Sequence, residues 1–353
     1  MKKLVGLIIC LSGVGLSHSH AQVRCEAYMP SFFVDVDANV GVLMQKASGG
    51  VNTANYPSLV TATSGKLSFT NGLYTSADVQ FGYYIDRNRS FGIGTGIVVS
   101  QSSGTLGLDT FHAEFKAYDY KGNVFRQIVS TDHPIAETEN RTSISIPILL
   151  RYKKDINPKT LFTVDAGLLY NIQSQDKWST NANFDYEAIY HFINNGSATT
   201  YESSLVPGNE DLIWTKTAVV KQNPGVNLNN FFATRNAALY SIGLNENVNK
   251  KSGTLKPVTG SLGYTAAAAF NFKIGKKIYF RLGAYYLTQT FNNTSQANNS
   301  VLTSKIIRNV AGQDVGVDYS SLMAGTKSVQ TSSYGITLGF KIYLSSRSLL
   351  DFE

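Results

Sequence analysis

The chain has 353 residues, a formal charge of +7, two cysteines, eight prolines and 12% aromatic residues. Its mild basic excess is scattered, with no Lys/Arg block, so a nucleic-acid partner is not expected. Beyond residue 21 no apolar run approaches the roughly 20 residues of a membrane helix and no amphipathic helical stretch stands out, which leaves an all-β protein.

The N-terminus reads as an export signal. MKK is a basic start, LVGLIICLSGVGL is an apolar segment too short to span a bilayer, and Ser19-His20-Ala21 offers the small residues a signal peptidase reads. Cleavage is placed between Ala21 and Gln22, so 1–21 is a signal peptide and 22–353 one barrel domain. Losing Lys2 and Lys3 takes the charge from +7 to +5. Cys10 follows Ile9 and Cys25 follows Arg24, which excludes a lipoprotein acceptor at either. Only Cys25 remains in the mature chain, so an internal disulfide is impossible.

Period-two alternation then recurs along the chain. About eight strands are predicted, near 32–45, 73–86, 91–101, 143–153, 161–173, 261–274, 278–289 and 333–344. In the first, Val34, Val36, Val40 and Val42 alternate with Asp35, Asp37, Asn39 and Gly41. Each is close to the 9–11 residues of a tilted membrane-crossing strand. Short connections (DRNR, DINPK, GKK) alternate strictly with long ones, 46–71, 102–141, 175–260 and 290–331. Outer-membrane barrels have this asymmetry, and lipid demands a closed sheet because it offers no hydrogen bonds to an edge. Alternation alone does not say which face is buried. The signal peptide, the turn asymmetry and aromatic residues near strand ends (Tyr83, Tyr152, Tyr170, Phe272, Tyr286, Tyr334) favour a membrane barrel over a secreted sandwich. The fold class expected is therefore a closed antiparallel transmembrane β-barrel, integral to the outer membrane. Its loops would be extracellular and both termini periplasmic. A further pair of spanning strands within 175–260 would make ten.

An apolar outer face puts charge inside. The candidate lumen holds Asp35, Asp37, Asp78, Asp165, Arg151, Lys153, Lys273, Arg281 and Lys341. Lone buried charges cost several kcal/mol, so Asp35, Asp37 and Asp165 are expected to meet Arg151, Arg281 and Lys341. Such a network is either a satisfied polar plug or a gated ion path or proton relay. The fourth strand, ISIPILLRYKK, contains Pro147, which cannot donate to a ladder and should mark a bulge or a missing bond. Glycines at 92, 94 and 96 alternate along a strand and open no helix, so they make room inside the barrel and do not form a phosphate loop.

Hydrolytic signatures are weak. The mature chain offers only His112, His133 and His191, all in predicted loops, and no HExxH, CxxC or paired-His spacing. No catalytic residue, metal or cofactor is expected, and the protein is read as not an enzyme. The loops are more informative. Phe111 to Ser130 reads as a hairpin. Loop 175–260 carries Trp178, Trp214 and the aromatic runs NFDYEAIYHF and NNFFATRNAALYSIGL. Such loops suit a protein or glycan ligand, or fold as a cap over the barrel mouth.

The signal peptide ending in Ala21-Gln22 is joined by several further segments: ISIPILLRYKK with its tight turn, LFTVDAGLLYNI, and the hairpins FNFKIGKKIYFRLGAYY and YGITLGFKIYL. In these the sequence resembles the PorT-like outer-membrane β-barrel proteins, and also the small OmpA/OmpX-type barrels. The resemblance covers the strand framework and not the loops. It implies contact with outer-membrane lipid and lipopolysaccharide, and with barrel-assembly machinery during biogenesis. The chain departs from the pattern in running on through SSRSLLDFE after Leu344, where such barrels usually stop near an aromatic-rich last strand. The function favoured is surface recognition or envelope structure through the large loops. The alternatives are an accessory role in protein secretion, as PorT-like proteins imply, a lipid A- or peptide-modifying barrel enzyme, and a small-solute channel.

Overall fold

The computed structural model describes residues 32–48, 54–55, 59–86, 89–118, 124–193, 197–198, 200–215, 219–222, 251–292, 302–307 and 314–344. The Ala21–Gln22 cleavage point and the C-terminal SSRSLLDFE lie outside the described residues. Eight strands make the barrel: β1 (Phe32–Ser48), β2 (Leu67–Tyr84), β3 (Phe91–Leu108), β4 (Ile135–Asn157), β5 (Thr160–Thr180), β6 (Leu262–Lys273), β7 (Ile278–Asn292) and β8 (Ser328–Leu344). Each pairs antiparallel with its neighbours in the chain, and β8 pairs with β1 to close the ring. The ring holds eight strands, and the described residues of segment 175–260 add no further spanning pair to it.

The faces are arranged for lipid. Outward residues such as Phe81 (55% exposed), Leu150 (69%) and Ile336 (57%) stand uncovered, while Asp35 and Lys341 are fully enclosed. In water that arrangement is inside out. In a bilayer it places apolar surface against acyl chains and hides the charge. Outward aromatic pairs ring the short-turn end: Phe32 and Tyr83 at 4.7 Å, Phe91 and Tyr152 at 5.2 Å, Phe162 and Phe270 at 5.1 Å. Tyr170, Tyr264, Tyr286 and Tyr334 stand outward nearer the other end, giving the second interfacial girdle.

The strands outrun the membrane. β4 has 23 residues and β5 has 21, about twice the crossing length. The predicted loop 102–141 therefore needs correction: β3 continues to Leu108 and β4 starts at Ile135. Likewise β5 continues to Thr180, inside the predicted loop 175–260. The extensions carry Thr138, Asn140 and Thr142 outward and Glu137, Glu139 and Arg141 inward, so both faces are polar and hydropathy does not alternate.

Two bulges change which residues point inward. Ile144 pairs with Gln173 but Ser145 pairs with Asn171, leaving Ile172 as an extra residue in β5. One extra residue flips every side chain beyond it. Thr163, Asp165, Leu169 and Asn171 are buried below the bulge; Ser174, Asp176 and Trp178 are buried above it. Gln173, which unbroken alternation from Asp165 would turn inward, is exposed for this reason. A second shift between Thr70 and Leu73 does the same in β2, turning Leu67 and Phe69 toward the interior above it. Pro147 pairs with Leu169 on the β5 side. On the β3 side the register is constant, yet pairing lapses between Thr95/Ile148 and Val98/Ser145, where Pro147 has no N–H to give.

Beyond the belt the connections fold into a cap. The predicted hairpin forms, with Phe111–Tyr118 against Val124–Thr131. It is extended by Leu59–Ser64 on one side and by Phe184–Tyr190, Leu212–Thr215 and Val219–Gln222 on the other, giving six strands. The cap owns a hydrophobic core that includes Phe111, Phe115, Phe125, Phe184, Tyr190 and Leu322, and it joins the barrel through Leu106, Leu108, Ile135 and Trp178.

Candidate functional site

The barrel interior is layered from the short-turn end upward. Phe33, Tyr84, Leu161 and Tyr343 form an aromatic floor. Gly82 makes room for it, because a Cβ there would overlap the Phe33 ring. The guanidinium of Arg151 lies 4.2 Å above that ring and the Lys341 ammonium 4.1 Å from it. The floor thus offers the first charges a cation–π surface as well as an apolar seal.

The charged layer rests on this floor. Arg151 donates Nη2 to Asp165 Oδ2 at 2.7 Å and makes close bonds from Nε to Asp165 and from Nη1 to Asp35. Arg281 donates Nη1 to Asp37 Oδ2 at 2.7 Å and to Asp35 Oδ2 at 3.1 Å, and Nη2 to Asp165 Oδ2 at 2.6 Å. Lys341 Nζ sits 2.7 Å from Asp35 Oδ1, across the β1–β8 pairing that sets Asp35 opposite Lys341. Strand register fixes these meetings: inward residues of five strands, β1, β4, β5, β7 and β8, converge because a narrow barrel has room for little else. Gly339 shapes the contact, since a Cβ there would overlap the Asp37 carboxylate.

The other predicted lumen charges stand apart. Asp78 is buried and accepts from Asn39 Nδ2 at 3.1 Å, with no cation among the described residues within ion-pair distance. Lys153 is buried near the floor, 3.3 Å from Asp155 and 5.5 Å from the Tyr84 ring. Lys273 needs correction: it is exposed at the last position of β6, where the rim lets its ammonium reach water. A layer of Leu43, Tyr74, Tyr285 and Leu287 closes the lumen above the charges.

A second polar layer, outside the belt, is absent from the predicted site. Arg141 grips Asp176 through Nε at 2.6 Å and Nη2 at 3.0 Å, and stacks 4.0 Å over Phe291. Glu137 is fully buried and holds the turn that follows Tyr319. Its carboxylate accepts from Tyr319 Oη at 2.5 Å, Ser321 Oγ at 2.6 Å and the Leu322 amide at 3.0 Å. Leu322, Met323 and Ala324 are thereby tucked into the cap core. Burial pushes the Glu137 carboxyl above the usual range, against these hydrogen bonds. Glu139 is raised further by burial and by the charges of Asp176 and Glu137, with Arg141 opposing. Neither Glu139 oxygen has a hydrogen-bond partner. Period two continues through IAETENRTSIS and was the available signal for these residues, but only as alternation between polar types.

The histidines lie in the cap region. His112 is in its first hairpin strand, His133 bonds Asp132, and His191 Nδ1 is 2.8 Å from Asp211 Oδ2. Among the described residues no group of three or more His, Cys, Asp or Glu side chains is placed to hold a metal ion.

No family model matches the chain, and no curated protein sequence matches it. Solved structures do. The outer membrane protein OprG from Pseudomonas aeruginosa matches at 9% identity and a TM-score of 0.30, over 90% of this chain and 98% of that one. Ail, the attachment invasion locus protein of Yersinia pestis, solved with the heparin analogue sucrose octasulfate, matches at 7% identity and 0.26, over 88% and 99%. The outer membrane protease OmpT from Escherichia coli matches at 6% identity and 0.24, over 92% and 100%. The likeness is one of fold: that of integral outer-membrane β-barrels. Two expectations change. The matches lend no support to PorT-like proteins in particular. The reading of the chain as not an enzyme is also withdrawn, because a protease is among the barrels it matches and this architecture does not exclude catalysis.

Proposed function

We propose that this outer-membrane barrel acts at the cell surface in recognition or envelope structure, with the capped end extracellular and the short turns periplasmic. One observation carries the reading: the long connections build a six-stranded sheet with its own hydrophobic core beyond the lipid belt. A chain needing only an anchored barrel has no use for it. The filled lumen supports the same view, since a floor, a charged layer and an upper layer of leucine and tyrosine occupy the interior of a narrow barrel. A protein or glycan ligand at the cap and lipopolysaccharide around the belt are the partners this implies.

Proteolysis of intact cells tests the orientation. Cleavage within the cap from outside supports it, and protection until the outer membrane is opened refutes it. Retention of a protein or glycan by the full-length chain from native membranes, weakened by substitutions on exposed cap positions such as Leu205 and Val206, tests recognition. If a null strain instead loses exported proteins, the secretion role implied by the resemblance to PorT-like proteins replaces recognition. Planar-bilayer conductance should stay at background, and a stable open channel would overturn the sealed lumen.

A further inference from the structure

We propose that the lumen binds one small monovalent cation, of the size and hardness of sodium, at Asp37 and Asp78. Charge balance is the first observation. The central layer holds Asp35, Asp37, Asp78 and Asp165, four negative charges, against Arg151, Arg281 and Lys341, three positive ones. Lys153 has Asp155 as its own partner. One negative charge is left over in an enclosed space, where an uncompensated ion costs several kcal/mol.

The geometry says where it resides. Asp37 and Asp78 are directly opposite each other on β1 and β2. Like charges so placed repel. Asp37 spends Oδ2 on Arg281, and Asp78 spends Oδ2 on Asn39. The Oδ1 atom of each is buried with no hydrogen-bond donor, although the residues are only 4% and 7% exposed.

A cavity of about 50 Å³ adjoins both residues, walled also by Asn39, Ser76, Gln80 and Thr337. One water needs roughly 10–15 Å³ measured this way, so the space suits an ion with part of its hydration shell. The donors on offer are oxygens. Asn39 commits its Nδ2 to Ser76 Oγ at 2.9 Å and to Asp78 Oδ2 at 3.1 Å, which leaves its amide oxygen as the free polar atom. Carboxylate, hydroxyl and amide oxygens favour hard cations. A divalent ion would overshoot the single excess charge, so a monovalent one fits. The Arg281 Nε–H also lacks a partner, and water shared with the ion gives it an acceptor.

The test uses the full-length protein in detergent, unfolded by heat at fixed pH and ionic strength in sodium or choline chloride. Sodium should raise the apparent midpoint saturably, and Asp78→Asn should remove that dependence. Equal midpoints in the two salts overturn the proposal, as does an Asp78→Asn variant that keeps the sodium response. A midpoint that follows pH alone would mean a proton fills the role, which also overturns it. Sodium-23 line broadening by the wild-type protein needs no variant: broadening relieved by excess lithium is expected, and its absence refutes the site.

Discussion

Arg281 is shared by three buried carboxylates, and replacing it with methionine tests whether the lumen is held by charge balance or by bulk. Arg281→Met keeps most of the volume and the apolar stem but leaves Asp35, Asp37 and Asp165 short of a shared donor. The layer goes from four carboxylates against three cations to four against two. Removing one partner of a buried ion pair typically costs about 3–5 kcal/mol, most of it the penalty of stranding the other charge. For a chain of this size that is about 6–15 °C in the apparent midpoint, at roughly 2–3 °C per kcal/mol. Asp37→Asn should behave differently. It lowers the negative count by one, and an asparagine oxygen can still accept from Arg281, so its midpoint should stay near that of the wild type. The double variant restores the native excess of one charge and should recover part of the loss, with a coupling of about 1–3 kcal/mol. The loss of the compact, fast-migrating gel band with temperature reports all three. An Arg281→Met midpoint within about 2 °C of wild type, or a double variant no better than Arg281→Met, would refute the charge-balance account.

Two further outcomes follow from single residues. Pro147→Val adds an N–H where β3 and β4 fail to pair at nearly equal side-chain volume, and should stabilise by about 0.5–1.5 kcal/mol; a lower midpoint would mean that proline shapes the strand for another reason. Beneath the cap, burial raises the carboxyls of Glu137 and Glu139 on β4, so the closed cap holds their protons more tightly than an opened one. Its stability is therefore complete below the ordinary glutamate range and declines as pH rises through the raised values. Protease nicking within 320–327 should increase with pH accordingly, and Glu139→Gln, neutral at every pH, should flatten the profile; a pH response unchanged in that variant would clear Glu139 of the role.

The barrel was legible because lipid imposes a simple rule on sequence. Val34 to Val42 outward and Asp35 to Gly41 inward is a pattern that hydropathy alone detects, and register then brings Asp35 opposite Lys341 without further information. The rule stops where the lipid stops. Above the belt both faces of β4 are polar, so Glu137, Glu139 and Arg141 read as loop although the ladder continues beneath them. Bulges are harder still. Nothing in YNIQSQDKW distinguishes Ile172 as the unpaired residue, yet that single insertion decides that Asp176 and not Gln175 turns inward to meet Arg141. Pro147 gives the nearest warning, since a residue without an N–H lies three positions from the shift on the facing strand. The cap differs in kind: Phe111, Phe184 and Tyr319 come from three separate connections, with Phe111 and Phe184 rings 5.6 Å apart and Phe184 and Tyr319 5.5 Å apart, and their meeting depends on tertiary packing that no local period encodes. The wall of this protein thus follows from its solvent, whereas its interior chemistry depends on where single residues interrupt the alternation. Deleting Ile172 should therefore leave β5 in unbroken alternation, with Asp176 still inward against Arg141 and the lipid-facing belt below in register, and a cap loosened to protease by that deletion would show that the bulge itself shapes the strand.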